Sequence, residues 1–321
     1  MHRFVAGLAV FMFLAFGSAA AADGQPSYAS QGGLGVRAPD GKTRYVAVPT
    51  GTSTAIERVR VAGGAVDGWA ALDGSWGIPT VTFSRDGGAG LTRDGTRLVI
   101  AATGVWSPSE FAIVNTRQFR VDDRFSLKGN FAFDALSPDG STLYLIQHLS
   151  ANNVNRYIVR AYDLDNHSLL PGRIADKAQA GWVMEGSPMT RATSGNGRWV
   201  YTLYSRPGGY PFIHALDTVA GVAHCTGLPW HGNQVALANV RMTVGGDGKT
   251  LAVHWKSGKP WLTLNTANWR LTHVHSGGGF AWRWLFAAGG GLLVVTLVLA
   301  AFVLSRRRAA HERREALPAA L

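Results

Sequence analysis

The chain has 321 residues, 46% of them hydrophobic and 16% charged, enough to bury a sizeable core in one large domain or two small ones. Forty glycines and eleven tryptophans favour an all-β protein with many tight turns and much aromatic packing. Of the formal +11 charge, Arg3 and the stretch after Ser305 carry +4; the remaining +7 is spread without a basic run, which speaks against a nucleic-acid partner.

Met1-His2-Arg3 leads into FVAGLAVFMFLAF, Phe4 to Phe16, thirteen apolar residues without a charge, and then into GSAAAAD. A basic start, a short apolar run and small residues at the exit predict a secretory signal peptide over 1–22, cut after Ala21 or Ala22. The run is short for a bilayer span, so a retained anchor is the alternative. No cysteine follows it, which excludes a lipoprotein anchor. Cys225 is the only cysteine, so an exported domain here has no internal disulfide, and a buried free thiol is the simplest reading of it.

The body of the chain, 23–278, repeats itself. LSPDGSTLYLI (136–146) reads as a hairpin, because Gly tolerates the positive φ that a tight turn between two apolar runs demands. Its relatives are APDGKTRYVAVP (38–49), LTRDGTRLVIAATG (91–104), SGNGRWVYTLYS (194–205) and VGGDGKTLAVHW (244–255). The residues before the turn glycines, Asp40, Asp94, Asp139, Asn196 and Asp247, are 54, 45, 57 and 51 positions apart. A second signal keeps the same period: a strand that enters a turn at Asn115, Asp165, Asp217 and Asn265, with a Gly63-Gly64 turn in the first repeat. Each period then holds four antiparallel strands in about 50 residues, the signature of a β-propeller blade. The predicted blades lie near 28–75, 76–129, 130–180, 181–232 and 233–275. Five four-stranded blades are expected, with six as the alternative.

Ser137-Pro138-Asp139-Gly140-Ser141-Thr142-Leu143-Tyr144, followed by Leu164-Asp165-Asn166 or Leu216-Asp217-Thr218, resembles the YVTN-type and NHL-type β-propeller repeats. The likeness covers roughly 36–272 and implies the fold; the family hosts binding and hydrolytic functions alike.

After the last repeat comes LFAAGGGLLVVTLVLAAFVL, Leu285 to Leu304, twenty residues without a charge. That length crosses a hydrocarbon core as a helix. Trp282 and Trp284 flank one end and Arg306, Arg307 and Arg308 the other, so the segment 279–305 is expected to hold the chain in a cell membrane, with 23–278 outside and the tail 306–321 in the cytoplasm.

Function is expected on the propeller face that carries the loops between second and third strands. Those loops hold Trp106, His148, Asn152, Arg206, Tyr210, Trp255 and Lys256, an aromatic, basic and amide set suited to a polar or anionic partner. The expected activity is recognition of a protein, glycan or envelope component; a membrane-anchored propeller hydrolase or lactonase is the alternative. SRDGGAGL (84–91) nearly matches the S-x-D-x-G-x-x-W box of sialidase-like propellers, but it occurs once and Leu91 stands where an aromatic belongs, so a surface turn explains it. His214, His224, Cys225, His231 and the pair His273 and His275 fit no zinc spacing, and Glu57, Glu110 and Glu185 have no placed partners. No catalytic residue, metal or cofactor is assigned.

Overall fold

Each Asp-Gly or Asn-Gly signal closes a hairpin in the computed structural model, which describes residues 29–82, 87–104, 107–150, 152–176, 183–230 and 232–273. The expected leader, 1–22, and the expected span, 285–304, lie outside the described residues. No helix among the described residues is long and apolar enough to cross a membrane.

A short strand β1 (Ala29–Ser30) precedes the repeats. The first sheet is β2 (Val36–Arg37), β3 (Thr43–Thr50), β4 (Ser53–Arg60) and β5 (Val66–Asp73). The second is β6 (Trp76–Pro79), β7 (Arg97–Ala102), β8 (Ser109–Asn115) and β9 (Arg120–Leu127). The third is β10 (Asn130–Leu136), β11 (Thr142–His148), β12 (Arg156–Asp163) and β13 (Ser168–Leu169), with β14 (Met184–Glu185) also paired to β12. The fourth is β15 (Ser187–Thr193), β16 (Trp199–Ser205), β17 (Phe212–Asp217) and β18 (Val222–Gly227). The fifth is β19 (Val240–Val244), β20 (Thr250–Trp255), β21 (Pro260–Asn265) and β22 (Leu271–His273). Every sheet pairs its four strands antiparallel in chain order, the topology of a β-propeller blade. The fold is therefore all-β, a propeller of about five blades.

One boundary differs from expectation. The first blade begins at Val36 and not near 28, because β1 pairs with β6 of the second sheet, Ala29 opposite Pro79 and Ser30 opposite Ile78. Gly77 makes this possible, since a Cβ there would crowd the Ala29 and Ser30 backbone.

Strands that read as continuous apolar runs do so because both faces of a blade are covered. In β7, Leu98 and Ile100 join Tyr45, Ile56 and Leu72 in a core between the first and second sheets, while Val99 points the other way, to Phe133, Leu143 and Leu145 of the third. Tyr144, Ile146 and Val159 likewise meet Val200, Tyr204 and Leu216 between the third and fourth sheets. Leu203 and Ile213 meet Leu251, Val253 and Leu262 between the fourth and fifth.

The two turn signals share a period because they are hydrogen-bonded to each other. At the first turn the side chain of Asp40, Asp94, Asp139, Asn196 or Asp247 accepts from the backbone N–H two residues on, and the next residue is a glycine with φ between +67° and +78°. At the second, Asn115, Asp217 and Asn265 each accept from the backbone N–H groups two and three residues on. The threonine that follows each of them, Thr116, Thr218 or Thr266, donates its hydroxyl to the carbonyl of the first turn's glycine, Gly95, Gly197 or Gly248. In the third sheet the turn residue is Asp163 and not the expected Asp165, because the N–H groups of Asp165 and Asn166 both point to Asp163 Oδ1 at 2.9 Å. Leu164 then occupies the threonine position and buries its side chain instead.

Candidate functional site

The turns between first and second strands and between third and fourth strands gather at one end of the propeller; the linkers between sheets and the connections between second and third strands gather at the other. Linkers between sheets bind the loops between second and third strands at this second end. The N–H of Thr103 donates to Ser75 O at 2.9 Å, joining the second sheet's loop to the linker before it. Glu185, in the linker before the fourth sheet, lies 3.5 Å from Arg156 of the third and 3.8 Å from Arg206 of the fourth. Gln234 accepts from the Arg206 N–H at 2.5 Å and donates to the carbonyls of Arg206 and Gly209 at 2.9 and 2.7 Å. Gln234 opens the short 3₁₀ helix Gln234–Asn239, whose other end accepts from the Lys256 N–H at Asn239 O, 2.6 Å away. This short helix thus ties the 206–210 loop to the 255–259 loop.

Four of the residues singled out from the sequence come together on this rim. Arg206 faces Glu185, Tyr210 is 59% exposed, Lys256 is exposed, and Trp255 is half-buried in an indole cluster. The ring centroid of Trp230 lies 5.8 Å from that of Trp255 and 5.2 Å from that of Trp261, and Trp255 stacks on Trp261 at 6.1 Å. Lys259 is exposed beside them. Asn152 is exposed on the neighbouring loop of the third sheet. His148 is buried: its Nδ1 bonds the Val154 carbonyl at 2.7 Å, and burial lowers its pKa, so the ring holds the 148–156 loop together. Trp106 lies outside the described residues, as do residues 84–86 of the box-like SRDGGAGL stretch, His231 and His275.

Sequence reasoning missed Trp230, Trp261 and Gln234. An aromatic in the linker between two repeats was the available signal for Trp230. Nothing in the spacing marks Gln234, since its partners are backbone groups about 25 residues back.

A buried polar group lies between the third and fourth sheets. A bulge in β10 between Phe133 and Ala135 re-aims Asp134, which is 1% exposed, toward Arg191 of β15. The Arg191 guanidinium donates to Asp134 Oδ1 and to its backbone carbonyl, and its Nε donates to Thr202 Oγ1 at 2.9 Å. Among the described residues, Asp134 Oδ2 has no hydrogen-bond partner. Near this pair, His214 is fully buried, with Nδ1 3.4 Å from Cys225 Sγ and its ring edge-on to Tyr204. Burial pushes the Cys225 thiol up to about 12, helped by the Asp176 carboxylate, so it stays protonated and unreactive. Among the described residues, no group of three or more His, Cys, Asp or Glu side chains is placed to hold a metal ion.

Burial pulls the His214 pKa down to about 4, with the Asp134 charge opposing and the Arg191 charge assisting. The unfolded chain takes up the proton near the ordinary histidine value of about 6.5, so stability is complete above that pH and falls as pH drops toward 4. Urea unfolding at pH 5 should show a loss of about 2 kcal/mol relative to pH 7.5. His214→Gln should remove most of that slope; an unchanged slope would place the acid sensitivity elsewhere.

No known protein family matches the chain in sequence, and no curated protein matches it. Solved structures similar to it include hydrazine synthase from Kuenenia stuttgartiensis, 14% identical over 85% of this chain and 70% of that one, with a TM-score of 0.48. TolB from Acinetobacter baumannii is 14% identical over 74% of this chain, which spans 55% of the TolB chain, with a TM-score of 0.44. The Dos1 propeller is 9% identical over 75% of this chain and 58% of that one, with a TM-score of 0.43.

Proposed function

We propose that this protein is a membrane-tethered, extracytoplasmic recognition module that binds a protein, glycan or cell-envelope component through the loop end of its propeller. The observation that carries the reading is the Trp230–Trp255–Trp261 cluster, bordered by exposed Lys256 and Lys259, with exposed Tyr210 on the loop that Gln234 ties to theirs. Indole and phenol rings give rigid, amphipathic contact area, and the lysines favour an anionic partner. The runner-up, an anchored hydrolase or lactonase, needs free acids at a channel mouth. Here Glu185 already faces two arginines and Asp134 already holds one. The tether rests on the apolar stretch Leu285 to Leu304 and the three arginines after it.

Intact cells carrying the full chain should bind labelled envelope polysaccharide or an envelope-protein fraction. Trp261→Ala, or Lys256→Glu with Lys259→Glu, should weaken that binding about tenfold while the lysine pair leaves thermal unfolding unchanged. Binding that shows only after permeabilisation would overturn the outward orientation. Binding that ignores all three changes would overturn the rim.

A further inference from the structure

The hydrophobic cores join the first sheet to the second, the second to the third, the third to the fourth and the fourth to the fifth; among the described residues none joins the fifth to the first. The first sheet therefore has one face outside these cores. Strand register places two cross-strand rows on that face, Arg44–Val59–Val66 and Val46–Glu57–Trp69, and none of the six belongs to a core.

Toward the inner strands this face is closed, with Val46 and Val59 buried, but at its outer strand it opens. Trp69 is 63% exposed, Val66 48% and Val61, just past β4, 39%. Trp69 is the one exposed indole among the described residues; the tryptophans of the loop end are half-buried in their own cluster. Lys42 borders the patch, its carbonyl accepting from the Val61 N–H at 2.8 Å, and Arg44 stands opposite Val59. Two nearby acids are engaged elsewhere: Asp67 lies 2.5 Å from Arg58, and Asp40 accepts from the N–H groups of Lys42 and Thr43 in its own turn. Glu57 is half-buried between its cross-strand partners Val46 and Trp69.

We propose that this patch rests on the surface of the bilayer that the tether crosses, with Trp69, Val61 and Val66 in the headgroup layer and Lys42 and Arg44 beside anionic lipid; the proposal rests on the tether reading. The course of the chain favours a bilayer over a free partner. Sheets packed in chain order around a ring bring the first beside the fifth, and β22 of the fifth ends at His273. Eleven residues, 274–284, separate it from the apolar stretch that begins at Leu285, a reach of about 40 Å at full extension. The tether thus holds this side of the propeller close to lipid, and a second, weak contact there costs little further freedom. Indole rings favour the headgroup layer, and flanking Lys and Arg add attraction to anionic lipid. A blade edge laid on the bilayer leaves the loop end free for recognition.

The test reconstitutes the full-length chain in vesicles of phosphatidylcholine and phosphatidylglycerol, with an NBD fluorophore on Val66→Cys or, for comparison, on Val235→Cys at the loop end, where Val235 is 60% exposed. Cys225, a thiol held protonated by burial, leaves the introduced cysteine as the one that reacts. Lipid spin-labelled near the headgroup should quench position 66 at least about twofold more than position 235. Trp69→Ser with Val61→Ser should remove about half of that difference or more. Both side chains are exposed, so an unchanged melting temperature certifies the fold. Alkaline carbonate washing reads the tether by itself. A chain that stays with the vesicles but is quenched equally at both positions overturns the lipid contact and leaves the tether standing, and an unchanged difference in the double variant also overturns the contact. A chain that washes off overturns the tether and this contact with it. Labels at position 66 that quench one another in detergent, without quenching by lipid, would give the patch to a second copy of the chain.

Discussion

Arg191→Met should destabilise the fold by about 3–5 kcal/mol, because it strands the Asp134 carboxylate at 1% exposure with no counter-charge. The change also removes the donors to the Asp134 backbone carbonyl and to Thr202 Oγ1, which are made from the same guanidinium. Urea unfolding would give the loss directly. The control is the double variant Asp134→Leu, Arg191→Met, which takes away both charges and leaves apolar groups between the third and fourth sheets. It should be more stable than Arg191→Met alone by at least about 2 kcal/mol, since the cost lies in an unpaired buried charge rather than in the missing attraction. If the double variant were no better than the single one, the pair would be acting through shape and not through charge.

Gly35→Ala should cost about 3 kcal/mol or more. Its φ is +59°, which side-chain-bearing residues adopt at a penalty, and a Cβ there would overlap the Tyr45 carbonyl oxygen and crowd Val46. The carbonyl belongs to β3 of the first sheet and cannot move without breaking strand pairing. Gly41→Ala separates the two effects: its φ is +67° but nothing lies within 4 Å of the added carbon, so it should cost only about 1 kcal/mol. The same logic ranks the hairpin glycines. A Cβ at Gly140 comes within 2.8 Å of Thr92 Cγ2 on the next sheet, one at Gly95 within 3.3 Å of Pro39 Cδ, and one at Gly248 meets nothing. Valine should therefore be most damaging at 140 and least at 248, measured as a shift in unfolding midpoint. Equal losses at all three would mean that backbone strain alone matters and that neighbouring blades do not touch through these turns.

Three of the second turns carry a residue in the left-handed region that no sequence rule would place there. Phe119, His167 and Trp269 have φ of 53°, 50° and 60°, at the position where the fourth sheet uses Gly221 and the first uses Gly64. Contacts from other strands offset the local strain, which runs to about 1–2 kcal/mol per residue. Phe119 covers Gly68 and carries the Arg58 guanidinium 5.0 Å above its ring, His167 lies 3.0 Å from Asp123, and Trp269 packs between Trp199 and His224.

The sequence by itself determined whatever depends on short-range chemistry. Asp-Gly and Asn-Gly turns impose positive φ at the glycine, apolar runs of strand length follow, and two turn types in phase require one structural unit per repeat. From these, a propeller of about five blades and most of the sheet boundaries could be read from the sequence. The loops that would carry Arg206, Tyr210, Trp255 and Lys256 could be read in the same way, because a loop's place in the repeat decides its end of the propeller. The tertiary structure alone decided what depends on partners far apart in the chain. It put β1 against the second sheet, turned His148 inward to hold its own loop, and gathered Trp230 with Trp255 and Trp261. It also set Asp134 against Arg191, 57 positions away, and brought residues of four blades onto the wall of one cavity. Period and turn chemistry act within a few residues of the chain. Burial and charge pairing act through space, and no spacing along the sequence records which side chains meet there.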